Sequence, residues 1–200
     1  MKAPEGEGPQ IKGAALLEAL NWLEREHGRA RVEAALARLS SASRARIDAT
    51  RRSFGILASD WYPAENTHIV LGFLTEGLSS AEREQTARRL AKAIMEGTLH
   101  GVYGMLFNLM ATPERYARHV SRLWSKFYDC GRVVAVLPTP SSMVATVSEW
   151  TSHDPFLCLT VQFARVAALE AMGCRNVRSE LRCKDDVGGD ACTTRITWEK

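Results

Sequence analysis

Apolar residues return every three or four positions along the first two thirds of the chain, which is the period of helices with one buried face. Leu16, Leu17, Leu20 and Leu23 predict a helix that Gly28 stops, and Val32, Ala35, Leu36 and Leu39 predict a second, ending in the Ser-rich "SSAS". After Arg44 a third helical stretch leads into "ASDWYPAENTHIVLGFLTEG". There Pro63 suits a first helical turn, where its missing N–H goes unused, and Ile69, Val70, Phe73 and Leu74 form a stripe up to Gly77. Ser79 followed by Glu82 is a capping box opening a helix that turns Leu90, Ala91, Ile94 and Met95 inward. The stretch "GVYGMLFNLM" is apolar nearly all round and predicts a central buried helix. Thr112 as N-cap and Pro113 as first residue then open a helix whose stripe is Tyr116, Val120, Leu123, Trp124 and Phe127, closed by Gly131.

At Gly131 the period changes. "RVVAVLP" is a β-branched run, "TPS" is turn chemistry and "MVATVSEW" is a second strand. Asp154 and Pro155 start the helix "PFLCLTVQFARVAALEAMG", and the strands "CRNVRSELRC" and "ACTTRITW" follow, joined by "KDDVGGD". The fold class expected is therefore α+β, with N-terminal helices packed on a four-stranded antiparallel sheet of β-β-α-β-β order.

Composition changes this picture little. Apolar residues at 46% and charged residues at 24% of 200 are ordinary for a globular protein, and no apolar run is long enough for a membrane span. The opening "MKAPEGEGPQIKG" lacks the apolar core of a signal peptide. Residues 1–12 are expected to be a disordered tail, 13–40 a helical extension and 41–200 the α+β domain. A cytoplasmic setting is expected, where thiols stay reduced. The net charge of +3 is uneven: Arg25, Arg29, Arg31, Arg38, Arg44, Arg46, Arg51 and Arg52 stand against Glu26, Glu33 and Asp48. Such a stripe suits nucleic acid or an acidic partner, but no aromatic residue interleaves it, so a solvated helix face is the expectation and nucleic acid is not.

No phosphate loop, G-x-S-x-G elbow, H-E-x-x-H or Rossmann fingerprint is present, and the five histidines are scattered. The chain is not expected to be an enzyme. The helical half has an aromatic surplus, which reads first as core. Helices on a sheet can also enclose an apolar pocket with a few polar handles, and Trp61, Tyr62, Tyr103, Phe107 and Trp124 are the residues placed there.

Cys183 and Cys192 flank the Gly/Asp turn near the end of the chain and can be metal ligands, a redox or disulfide pair, or small apolar residues in a hairpin. Helices followed by β-β-α-β-β, ending in Glu-x-x-Cys, a Gly/Asp turn and Cys, resemble the four-vinyl-reductase domain. That domain belongs to the superfamily of heme nitric-oxide sensors and of small subunits of the Golgi transport-particle complex. "SDWYPAENTHIVLGFLTEG" with "WSKFYDCGRVVAV" looks closer still to an uncharacterised bacterial paralogue family of that superfamily. The likeness spans about residues 40 to 200.

The resemblance implies a binding domain. In phenol-responsive members it implies zinc, and the matching positions are Cys158, Glu180, Cys183 and Cys192, with hairpin and helix spacings each off by one residue. Glu180 and Cys183 differ by three, so a flat strand points them to opposite faces, and a bulge would be needed. Zinc is thus a candidate cofactor. Heme is not expected: His119 stands where the sensors carry their axial ligand, but their Tyr-x-Ser-x-Arg motif has no counterpart in "VATVSEW". The function expected is non-enzymatic sensing of an apolar or aromatic small molecule, as a homodimer or with a related paralogue. A ligand-free scaffold of transport-particle type is the alternative.

Overall fold

The computed structural model describes residues 8–48, 50–100, 111–183 and 189–199. The helical part comprises β1 (Gln10–Lys12), α1 (Gly13–His27), α2 (Arg29–Leu36), α3 (Ser41–Arg46), a 3-10 turn (Arg52–Gly55), β2 (Trp61–Pro63), α4 (Ala64–Leu74), α5 (Ser80–His100) and α6 (Pro113–Phe127). The sheet part comprises β3 (Arg132–Thr139), β4 (Ser142–Ser148), α7 (Pro155–Ala171), β5 (Arg175–Arg182) and β6 (Ala191–Glu199). The change of period at Gly131 is thus where helices give way to strands. Gly131 itself has φ 81°, and a Cβ there would meet Trp150 at 3.3 Å and Trp124 Nε1 at 3.4 Å, so glycine is needed on both counts.

The four long strands form one antiparallel sheet in the order β3-β4-β6-β5. Alternation sorts its faces: Met143, Ala145 and Val147 of β4 and Cys192, Thr194, Ile196 and Trp198 of β6 point inward and are buried. Val134 and Val136 of β3 point outward and are more than half exposed, at 55% and 54%. Helix α7 packs on the inner face, α5 packs on α7 and on α1, and α6 packs on β3. Leu16, Leu20 and Leu23 of α1 belong to the same core as Phe163, Leu169 and Ile196. No helix among the described residues is long and apolar enough to cross a membrane.

The expected caps are in place. Ser79 and Glu82 exchange hydrogen bonds as a capping box, Thr112 Oγ1 accepts from the Arg115 N–H at 3.3 Å, and Asp154 Oδ1 accepts from the Leu157 N–H at 2.8 Å.

Three local expectations need correction. Gln10–Lys12 is not tail but a strand paired with Trp61–Pro63. It is fixed from the other side too: the Gln10 N–H donates to Asp129 Oδ1 at 2.6 Å, Ile11 bridges to Tyr128, and Ile11 is only 3% exposed. The helix after Arg44 ends at Arg46, and the chain then turns through Ser53 and Phe54, both at φ 55°. Pro63 closes β2 and precedes α4 rather than standing inside it. The expected buried helix "GVYGMLFNLM" lies outside the described residues.

Arg29, Arg31, Arg38, Arg46 and Arg51 of the basic stretch make intramolecular contacts. Arg29 bridges Glu24 and Glu33, both at 3.0 Å, and covers the Phe54 ring; Arg38 covers Phe73; Arg46 donates to the Trp61 carbonyl at 2.7 Å.

Candidate functional site

Two centres lie along α7. On α7, Val161, Ala164, Arg165 and Ala168 share one face at helical spacing and border a cavity of about 130 Å³. Ala164 and Ala168 leave the room. Opposite them, α6 contributes Tyr116, Val120, Leu123, Trp124 and Phe127, the stripe seen in the sequence, and Tyr128 follows at the helix end. Ile94 and Met95 of α5 and Ala15 of α1 close the remaining side.

The cavity surface is almost wholly apolar, although Arg165, Tyr116 and Tyr128 are among the residues that form it. Arg165 is only 4% exposed, and its Nη1 donates to Thr194 Oγ1 on β6 at 2.8 Å. The Tyr116 phenol lies near the same guanidinium; burial raises it above its ordinary pKa, and the neighbouring positive charge partly opposes the rise. Tyr128 is half-buried as a residue, but its hydroxyl sits at the buried end, and burial raises its pKa strongly. Tyr128 stacks on Trp124, ring centres 4.1 Å apart, and the Trp124 Nε1–H donates to the Cys130 carbonyl at 2.8 Å.

The second centre lies at the start of α7. Asp154 and Pro155 fix the first turn, so Cys158 faces the sheet and His153 stands just before the cap. Cys183 follows β5 and lies beside Cys192 of β6, with their sulfurs 3.7 Å apart. His153 Nε2 lies 3.0 Å from Cys183 Sγ. The four ligand atoms of His153, Cys158, Cys183 and Cys192 all lie within 4.8 Å of one another. Four donors around zinc at ordinary bond lengths would hold their sulfurs about 3.8 Å apart. Burial pushes the Cys158 thiol well up, and the sulfurs of Cys192 and Cys183 push it further. Such thiols stay neutral unless a cation compensates them.

Glu180, placed among the metal ligands by resemblance, stands outside this cluster. It is exposed, on the outer face of β5 opposite Arg195, because no bulge intervenes before Cys183 and a spacing of three in a strand reverses the face. His153 takes the fourth place. Of the residues placed in a pocket, Trp124 lines the cavity. Trp61 and Tyr62 belong to the β1–β2 ribbon: Lys12 covers Trp61 at 4.4 Å, and the Tyr62 hydroxyl accepts from the Leu57 N–H at 3.0 Å. Tyr103 and Phe107 lie outside the described residues. Tyr128 and Arg165 were missed as pocket residues, though an arginine inside the apolar run "VQFARVAAL" is a legible signal.

The two centres touch through aromatic rings. Trp150 meets Trp124 edge-on at 5.1 Å and Tyr128 at 5.8 Å, and on its other side meets His153 at 5.6 Å.

No family model matches the chain, and no curated protein matches it. Solved structures do. The unliganded ferrous H-NOX protein from K. algicida gives a TM-score of 0.69 at 13% identity, over 95% of this chain and 97% of that one. The fold is that of the H-NOX proteins. An H-NOX protein from S. oneidensis in its Fe(II)NO state gives 0.68 at 10% identity over 95% and 100%. An H-NOX structure solved to probe heme distortion gives 0.67 at 10% identity over 95% and 96%. The expectation against heme is corrected by this likeness. It rested on one missing motif, whereas the whole architecture is shared with heme proteins, and heme becomes a candidate occupant.

Proposed function

We propose that this chain is a non-enzymatic, small-molecule-sensing domain whose ligand enters the cavity between α5, α6 and α7. The observation that carries the reading is the cavity itself: about 130 Å³ of space with an almost wholly apolar surface, formed by aromatic and aliphatic side chains together with Arg165. That is the general form of a small-molecule site. A ligand there would bias the packing of α6 on α7, and a partner or second copy of the chain would read the change. The H-NOX fold supports a sensing role, and the four-vinyl-reductase likeness is the finer form of the same reading. We assign the cluster of His153, Cys158, Cys183 and Cys192 to a structural zinc. Three thiolates and an imidazole complete a closed tetrahedral shell that ties α7 to the β5–β6 hairpin and leaves no open position for chemistry.

Heme is the second reading, favoured by the fold. Arg165 suits a propionate, and the Met95 sulfur and the Tyr116 and Tyr128 oxygens are the described lining groups of kinds that ligate iron. The described lining holds no imidazole, and His119 of α6 is not part of it. A cavity of about 130 Å³ takes a single ring, so a porphyrin requires α6 and α7 to part.

One experiment covers both. Thermal unfolding of the purified chain is followed with single-ring aromatic compounds, and hemin is titrated by absorbance. A rise of several degrees at saturating ring compound is expected. A Soret band at one heme per chain would instead assign the fold's own cofactor. Unchanged unfolding with every compound and no heme uptake would leave the scaffold reading.

A further inference from the structure

We propose that β3 is an interface strand whose occupant is the same strand of a second copy of this chain, paired antiparallel across a two-fold axis at Ala135. The sheet ends in two edges, β3 and β5. Along β5, Arg175, Arg178, Glu180 and Arg182 stand exposed, and such charges discourage another strand from docking. Along β3, residues 133–137 carry no charge at all. Among the described residues the exposed large apolar side chains are Leu57, Val134 and Val136, so two of the three lie on this one edge. Val144 of β4 stands beside Val136 on the same outer face and extends the patch.

The backbone says what fits there. The Trp198 N–H donates to the Ser141 carbonyl at 3.1 Å, so the odd-numbered residues of β4 turn their backbone groups toward β6. The even-numbered ones turn theirs toward β3, where Ser148, Thr146 and Val144 meet Arg132, Val134 and Val136. By alternation Val133, Ala135 and Leu137 direct their donors and acceptors to the open edge. A second copy of the strand, turned about Ala135, sets Ala135 against its own mate and Val133 against Leu137, so the edge-facing groups complement one another. The same register sets Val134 opposite the second copy's Val136 on the outer face, in the close pairs where β-branched side chains pack. Arg132 then falls opposite Pro138 and away from its like charge, and Pro138, having no N–H, ends the ladder. One register thus suits backbone and side chains together, using no sequence but the strand's own. The pairing is independent of what the cavity holds, although α6, which walls the cavity, packs on this strand.

The test is the mass of the full chain in solution, by light scattering over a dilution series. An interface this small suits affinity on the order of micromolar, so a dimer is expected at about 100 µM and the single chain on dilution. Ala135→Pro removes an edge-facing N–H where an edge strand tolerates it, and Val136→Lys adds a charge that deters pairing. Each is expected to weaken the dimer by about tenfold or more, with circular dichroism unchanged. A native chain that stays single at about 100 µM overturns the proposal and leaves the edge to a strand of another protein. A dimer that survives Ala135→Pro also overturns it, because the copies would then meet by some other surface. Should Ala135→Pro not fold, Ala135→Cys decides. The two introduced thiols oppose each other only in this register, with Cα atoms about 5.5 Å apart, so mild oxidation is expected to link the chains at that position. A dimer without that link refutes the pairing.

Discussion

The two ends of α7 carry opposite designs. Near its start, Cys158 meets His153, Cys183 and Cys192 in a close-packed knot of electron-pair donors that calls for a cation. Two turns on, Arg165 lies buried against Thr194 beside a cavity whose surface is almost wholly apolar. The two centres differ in kind: in one, electron-pair donors converge on a point, and in the other, apolar side chains stand back from a space. The lesson is that burial alone does not tell stability from recognition. Converging donors suit a role in holding the fold together, whereas an apolar cavity suits a ligand that arrives and leaves.

That contrast can be broken at the metal end most strongly. Cys183→Ser should abolish zinc in elemental analysis of a protein that otherwise holds about one per chain. It should lower the midpoint of thermal unfolding by roughly 10 °C or more, since structural zinc binding is folding free energy. A strong chelator should do the same to the native chain; retained zinc in the variant would dissolve the ligand assignment. At the cavity end the sign is different. Without ligand, Arg165→Met should leave stability within about 1 kcal/mol or raise it slightly, because an apolar side chain replaces a charge that has no ionic partner among the described residues. A loss as large as that of Cys183→Ser would make Arg165 a structural residue and erase the comparison. The smallest effect sharpens the ligand set: Glu180→Gln should keep its zinc and change stability by less than about 0.5 kcal/mol, as expected of an exposed outer-face residue.

Most of the architecture was legible because local patterns and global packing agree. The helix stripes, the capping residues Ser79, Thr112 and Asp154, and the switch to alternation after Gly131 all reappear in the structure. What was not legible depends on partners far along the chain. Three residues such as Gln10–Lys12 have no periodicity to read, and become a strand only because Trp61–Pro63 and Asp129 receive them. The site divides in the same way. The three cysteines were visible as a set through the resemblance, but Glu180 came with them, although its spacing of three from Cys183 already argued for the other face. His153 gave no spacing signal, since a turn rather than a helix repeat brings it to the thiols. Trp61 and Tyr62 show that aromatic content locates no pocket: their rings are occupied by Lys12 and Arg46. The α6 stripe of Tyr116 to Phe127 was read correctly as buried, and only the empty space opposite, left by Ala164 and Ala168, turns it into a wall.

The clasp between the first strand and the end of α6 has a kinetic consequence. Gln10 reaches Asp129 across 119 positions, and Ile11 meets Tyr128 just beside the cavity. A contact of such long sequence separation closes a large loop and comes at a high entropic cost early in folding. During synthesis the opening strand must wait for residue 129 to emerge before it can dock, and the thiol of Cys192 arrives later still. The helices can therefore form in order along the chain, while the wall at Tyr128 and the hairpin at Cys192 are set last. Both centres of α7 are products of late folding, and neither is assembled until residue 192 has been made.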